Sequence, residues 1–115
     1  MRLIKAFRNS CAGMAHLIRH EAAFRSEMIL FVVAIPAAWY LADSLATFIW
    51  LLGSLLVIMI VELLNTGIEQ VCNALTREYR DEIRIAKDCG SAAVLLATLL
   101  AGAVWLVTLY TVFAD

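Results

Sequence analysis

Three apolar stretches separated by short polar segments organise the chain. Residues 1–20 precede them and carry a different pattern. Leu3, Phe7, Cys11, Met14 and Ile18 recur at spacings of four or three, while Arg2, Lys5, Arg8 and Asn9 mostly lie off that stripe. This period predicts an amphipathic helix whose apolar face rests on an anionic membrane surface. Met28–Ala42 then carries one charge-free run, which reaches spanning length if the helix begins near Ala22. Pro36 falls inside it, a placement membrane helices tolerate. Asp43 and Ser44 mark a tight turn. A second run starts at Leu45 and continues past Val61 into Glu62, Asn65, Glu69 and Asn73. The segment 76–88 is polar and charged and reads as a connection, and 89–114 is a third run long enough to span. Within it Ala97/Ala101 and Thr98/Gly102 place small residues four apart, the spacing that lets membrane helices approach closely.

The expected architecture is therefore one all-α membrane domain over 1–115: a surface helix (1–20), three spans (22–42, 45–75 with a cytoplasmic extension, 89–114) and a cytoplasmic connection (76–88). Composition agrees. Of 115 residues, 63% are hydrophobic and 17% charged, against about a quarter charged in an ordinary soluble domain. Those charges cluster in 1–27 and 76–88, so the formal net charge of -1 says little about partners. Arg2, Lys5, Arg8, Arg19 and Arg25 precede the first span, and Arg77, Arg80, Arg84 and Lys87 fill the second connection. The positive-inside rule puts both segments on the cytoplasmic side of the membrane. Trp39, Tyr40 and Tyr110 read as interfacial belt residues. Residues 1–8 lack the apolar core of a signal peptide. Cys11, Cys72 and Cys89 form no CxxC pair and are expected to be reduced and packed.

Glu62, Asn65 and Glu69 occupy positions i, i+3 and i+7, one narrow helical stripe that Asn73 extends. An acidic residue near mid-membrane costs about 2.5–3.5 kcal/mol, so two on one face indicate function. Magnesium takes one or two carboxylates together with substrate phosphates. Phosphoryl transfer also needs a cation for the phosphate and a proton acceptor for the attacking hydroxyl. Lys87, Asp88 and Glu21 supply those groups at the same depth. From residue types and spacing alone, a catalytic metal site, an ion or proton pathway and a helix-assembly role all stay open. No GxxxxGK[ST] or kinase Gly-rich loop occurs, so nothing in the spacing identifies ATP.

Three blocks resemble the prokaryotic diacylglycerol kinase family, in its order and spacing and over nearly the whole chain: Glu21-Ala-Ala-Phe-Arg25, Glu62-Leu-Leu-Asn-Thr-Gly-Ile-Glu69 with Asn73 four residues on, and Ala86-Lys-Asp-Cys-Gly-Ser-Ala-Ala93. The resemblance implies a homotrimer with active sites shared between subunits, ATP-dependent phosphorylation of diacylglycerol to phosphatidic acid, and magnesium as cofactor. It implies Glu62 as general base and Asn65 as an orienting group, with Glu21 and Glu69 holding the metal beside the ATP phosphates. It further implies nucleotide contacts from Arg2, Glu78, Arg80, Lys87 and Asp88, and lipid contacts from Arg25, Glu27, Glu62 and Ser91. Undecaprenol is the alternative acceptor within the family, and a small ion-conducting helical oligomer is the alternative outside it. Two positions depart from the family pattern: Asn73 stands where Asp is common, and Asn9 where an aromatic residue is.

Overall fold

The computed structural model describes residues 1–114 and contains four helices: α1 (Arg2–His20), α2 (Ala22–Leu41), α3 (Leu45–Leu75) and α4 (Asp81–Phe113). No strand occurs among the described residues. The last three helices are long and apolar enough to cross a membrane, and they run up, down and up as an antiparallel bundle. α3 packs most extensively on α4 and next on α2.

Each boundary has a local cause. Glu21, extended at φ -119° and ψ 107°, breaks the chain between α1 and α2. The Arg25 guanidinium closes that elbow, donating to the Ile18 carbonyl at 2.8 Å and the Arg19 carbonyl at 3.3 Å. A cation at a helix C-terminus satisfies free carbonyls and complements the helix dipole. Leu17 and Phe24 are buried beside the same corner. At the other end, Ser44 caps α3 by accepting from the Thr47 amide at 3.2 Å. Trp39 stacks edge-on to Phe48 across this turn. Trp39, Tyr40 and Tyr110 all lie exposed at this end of the bundle, as expected of belt residues.

The core is thin and made by small residues. Ala34 of α2, Leu55 and Ile58 of α3, and Ala97 and Ala101 of α4 form one buried cluster. The Ala97/Ala101 pair thus brings α4 against its neighbours as its spacing predicts. Trp105 Nε1 donates to the Leu51 carbonyl at 3.0 Å, tying α4 to α3 in the apolar layer. Most large apolar side chains point outward, the arrangement a lipid solvent favours. On α1 the stripe of Leu3, Phe7, Met14 and Ile18 remains uncovered, while Leu17 faces the bundle.

Two expectations differ from the structure. The segment 76–88 is a connection only over 76–80, and helix resumes at Asp81. Asp81 and Glu82 favour the start of α4 through its dipole, and Arg84 pairs with Asp88 one turn on at 3.1 Å. Ile83, Ala86 and Gly90 turn inward at helical spacing, so an amphipathic extension continues the span beyond its apolar part. Of the three free cysteines, only Cys72 is buried; Cys11 and Cys89 lie on the outside. A thiol on a lipid-facing helix surface needs no protein partner to be shielded from water.

Candidate functional site

Helix lengths set the depth of each polar group. α3 has 31 residues and α4 has 33, which gives rods of about 46 and 50 Å. A hydrocarbon layer is about 30 Å thick. The short turn at 42–44 fixes one edge, so both helices overshoot at the other, where α1 also lies. Measured from Leu45, Glu62 lies at about 26 Å, Asn65 at about 30 Å, Glu69 at about 36 Å and Asn73 at about 42 Å. Glu27, measured from Leu41, lies at about 21 Å. Glu62 and Glu27 therefore sit just inside the apolar layer. Asn65 sits at its rim, and Glu69 and Asn73 at headgroup and aqueous levels.

Two of the carboxylates meet across helices. The Glu27 and Glu62 carboxyls lie within hydrogen-bonding range of each other, on α2 and α3. Glu21 and Glu69 lie close enough to act electrostatically on Glu62. Glu27 Oε1 is sealed from solvent with no donor in reach. Asn65 joins the group through its Nδ2, which donates to Glu69 Oε1 at 3.5 Å. Its Oδ1 is buried without a partner. One turn beyond Glu69, Lys87 Nζ donates to Asn73 Oδ1 at 3.1 Å. That bond fixes the α4 ammonium beside the α3 stripe.

Thus Glu21, Glu27, Glu62, Asn65 and Glu69 gather where α1, α2 and α3 meet, and Lys87 of α4 joins the same stripe further along, through Asn73. Other candidates stand apart within a single chain. Arg2 opens α1, about 28 Å along the helix from Glu21. Glu78 and Arg80 are exposed in the 76–80 connection. Asp88 is exposed and engaged by Arg84, Ser91 is exposed on α4, and one Arg25 nitrogen is committed to the α1 carbonyls. Two features escaped sequence reasoning: the Glu27–Glu62 juxtaposition and the Asn73–Lys87 bond. Both join different helices, where periodicity along one helix gives no signal.

Among the described residues no three His, Cys, Asp or Glu side chains converge so as to hold a metal ion. Glu21 and Glu69 are both partly exposed, and a magnesium ion taken up by one or two such carboxylates would keep its other positions for phosphate and water oxygens. Magnesium, which dehydrates reluctantly, favours this kind of site.

The profile of the family "Prokaryotic diacylglycerol kinase" matches residues 8–109. A diacylglycerol kinase of Escherichia coli (strain K12) is 38% identical over 112 residues, covering 97% of this chain and 92% of that protein. Diacylglycerol kinases of Haemophilus influenzae and Pseudomonas aeruginosa are 34% and 36% identical. Each covers 90% of this chain, and the matches span 87% and 85% of those proteins. With a profile match over most of its length and relatives at this identity, the chain belongs to the prokaryotic diacylglycerol kinase family.

Proposed function

We propose that the protein transfers the γ-phosphate of ATP to the free hydroxyl of diacylglycerol, giving phosphatidic acid and ADP, at the cytoplasmic face of a bacterial inner membrane. The observation that carries this reading is the vertical order of groups along α3. A lipid alcohol lies at the rim of the hydrocarbon, where Glu62 sits beside Glu27. A nucleotide arrives from water, where Glu69 and Lys87 sit a few turns higher. The two substrates meet between these levels.

In this reading Glu62 accepts the hydroxyl proton as the lipid oxygen attacks the γ-phosphorus. The bond from that phosphorus to the β–γ bridging oxygen breaks, and ADP departs with the displaced electron pair. The Lys87 ammonium, held by Asn73, faces phosphate charge. Asn65 keeps the Glu69 carboxylate oriented. Glu21 and Glu69 would hold magnesium, which would supply positive charge to offset that of the phosphate oxygens. Glu27 narrows the apolar approach to Glu62, Arg25 reaches from inside the apolar layer to the end of α1, and Ser91 lies near headgroup depth. The remaining nucleotide contacts, Arg2, Glu78, Arg80 and Asp88, come from the cytoplasmic rim. Arg2 is too far along α1 to serve its own Glu21 and Glu69, which supports a homotrimer with sites completed by neighbouring copies. The basic residues of α1 and of 76–88 gather at the carboxylate end, which supports a cytoplasmic N-terminus.

The test is direct. Purified protein in mixed micelles receives radiolabelled ATP, magnesium and either diacylglycerol or undecaprenol, and the lipids are resolved. Label in phosphatidic acid is the expected result. Label confined to undecaprenyl phosphate moves the acceptor to a polyprenol, and label in neither lipid favours an ion-conducting oligomer.

A further inference from the structure

Gly90 is a buried glycine on α4 that faces the site's polar stripe. A methyl group built on its Cα would collide with Asn65 Oδ1, whereas the Asn65 Cγ and Cβ stand at 3.1 and 3.7 Å. The conflict falls on the carboxamide, with Cγ also crowded, and spares Cβ and the α3 backbone. Asn65 is constrained on its other side as well, because Nδ2 donates to Glu69 Oε1. The reverse orientation of the carboxamide would set its oxygen against the Glu69 carboxylate. Oδ1 must therefore point at Gly90, where it is sealed from solvent without an N–H or O–H donor. The missing side chain exposes a Cα–H along that direction, the weak donor that recurs where helices approach closely.

We infer that Gly90 is a positioning residue for phosphoryl transfer: its bare Cα admits the Asn65 carboxamide in the one pose that hydrogen-bonds Glu69. The inference rests on the proposed kinase reading for its consequence, but the contact itself stands on geometry. Any side chain at 90 turns the carboxamide away and releases Glu69. Because only a flexible tip must move, the helices remain packed. The expected signature is a protein that folds normally and turns over slowly.

The experiment compares wild type with Gly90→Ala in micelles by three readouts. The chain has three asparagines, Asn9, Asn65 and Asn73, so selective ¹⁵N labelling gives three side-chain amide signals, and Asn65→Ala identifies one by its loss. In Gly90→Ala the Asn65 signal moves while those of Asn9 and Asn73 stay. The thermal midpoint is retained. The kcat for lipid phosphorylation falls about tenfold or more, the scale of a hydrogen bond to a charged group. An unmoved Asn65 signal overturns the inference, as does a moved signal with unchanged kcat. A lowered midpoint with all three signals displaced assigns Gly90 to packing and equally overturns it. If wild type itself phosphorylates no lipid, the kinase reading fails, and the Asn65 signal still decides whether Gly90 holds the carboxamide.

Discussion

Replacing Asn73 with alanine removes the only hydrogen-bond partner seen for the Lys87 ammonium among the described residues, a contact of 3.1 Å between α3 and α4. Both side chains are partly buried, so water replaces the lost acceptor only in part. A hydrogen bond to a charged group contributes about 1.5–3 kcal/mol. Partial solvation puts this one at the low end, and about 1.4 kcal/mol corresponds to a factor of ten. Lys87 is proposed to face the ATP phosphates and has no part in holding the lipid. Steady-state kinetics in mixed micelles should therefore show a KM for ATP raised about tenfold with the KM for diacylglycerol unchanged. Asn73→Asp restores an acceptor at the same reach and should return the KM for ATP to within a few-fold of wild type. An unchanged KM for ATP in Asn73→Ala, or equal rises for both substrates, would refute the proposed division of labour between Asn73 and Lys87.

Two further perturbations probe the frame that carries the site. Trp105→Phe deletes the Nε1 bond to the Leu51 carbonyl. Interhelical hydrogen bonds in membranes average about 0.6 kcal/mol, so thermal unfolding in detergent should show a small loss of stability, and a collapse would mean the bond does more. Arg25→Met frees the α1 carbonyls of Ile18 and Arg19. Spin labels on α1 and α2 should then report a broadened distance distribution with α3 and α4 undisturbed. A distribution as narrow as in wild type would show that Leu17 and Phe24 suffice to hold the elbow.

Much of the fold was legible because the bilayer imposes a simple rule: apolar runs of sufficient length become spans, and an amphipathic period becomes a surface helix. Ala22–Leu41 and Leu45–Leu75 follow that reading nearly to the residue. The start of the third span did not, since hydropathy reports where lipid ends and says nothing of where hydrogen bonding along the backbone ends. Asp81–Asp88 is too polar for hydrocarbon and still helical, with Ile83 and Ala86 marking its inward face only once α3 is known to extend alongside. The site divides in the same way. Glu62, Asn65 and Glu69 share one helix, so their spacing places them on one face. The pairing of Glu27 with Glu62, of Lys87 with Asn73 and of Gly90 with Asn65 depends on the relative rotation of packed helices. That rotation is set by small residues such as Ala34, Ala97 and Ala101, whose spacing shows that helices approach without showing which turns meet.

In the proposed reaction Glu62 acts on the lipid hydroxyl at the rim of the apolar layer while the nucleotide is held above it. Glu62→Gln keeps the size and polarity of the side chain and removes its ability to accept a proton. Nucleotide affinity and single-turnover transfer should be measured on the same preparation, with magnesium and excess diacylglycerol. ATP affinity should stay close to wild type, with the rate of label transfer to lipid lowered about 10²–10⁴-fold, the usual contribution of a general base. Transfer at a rate near wild type would contradict that role for Glu62.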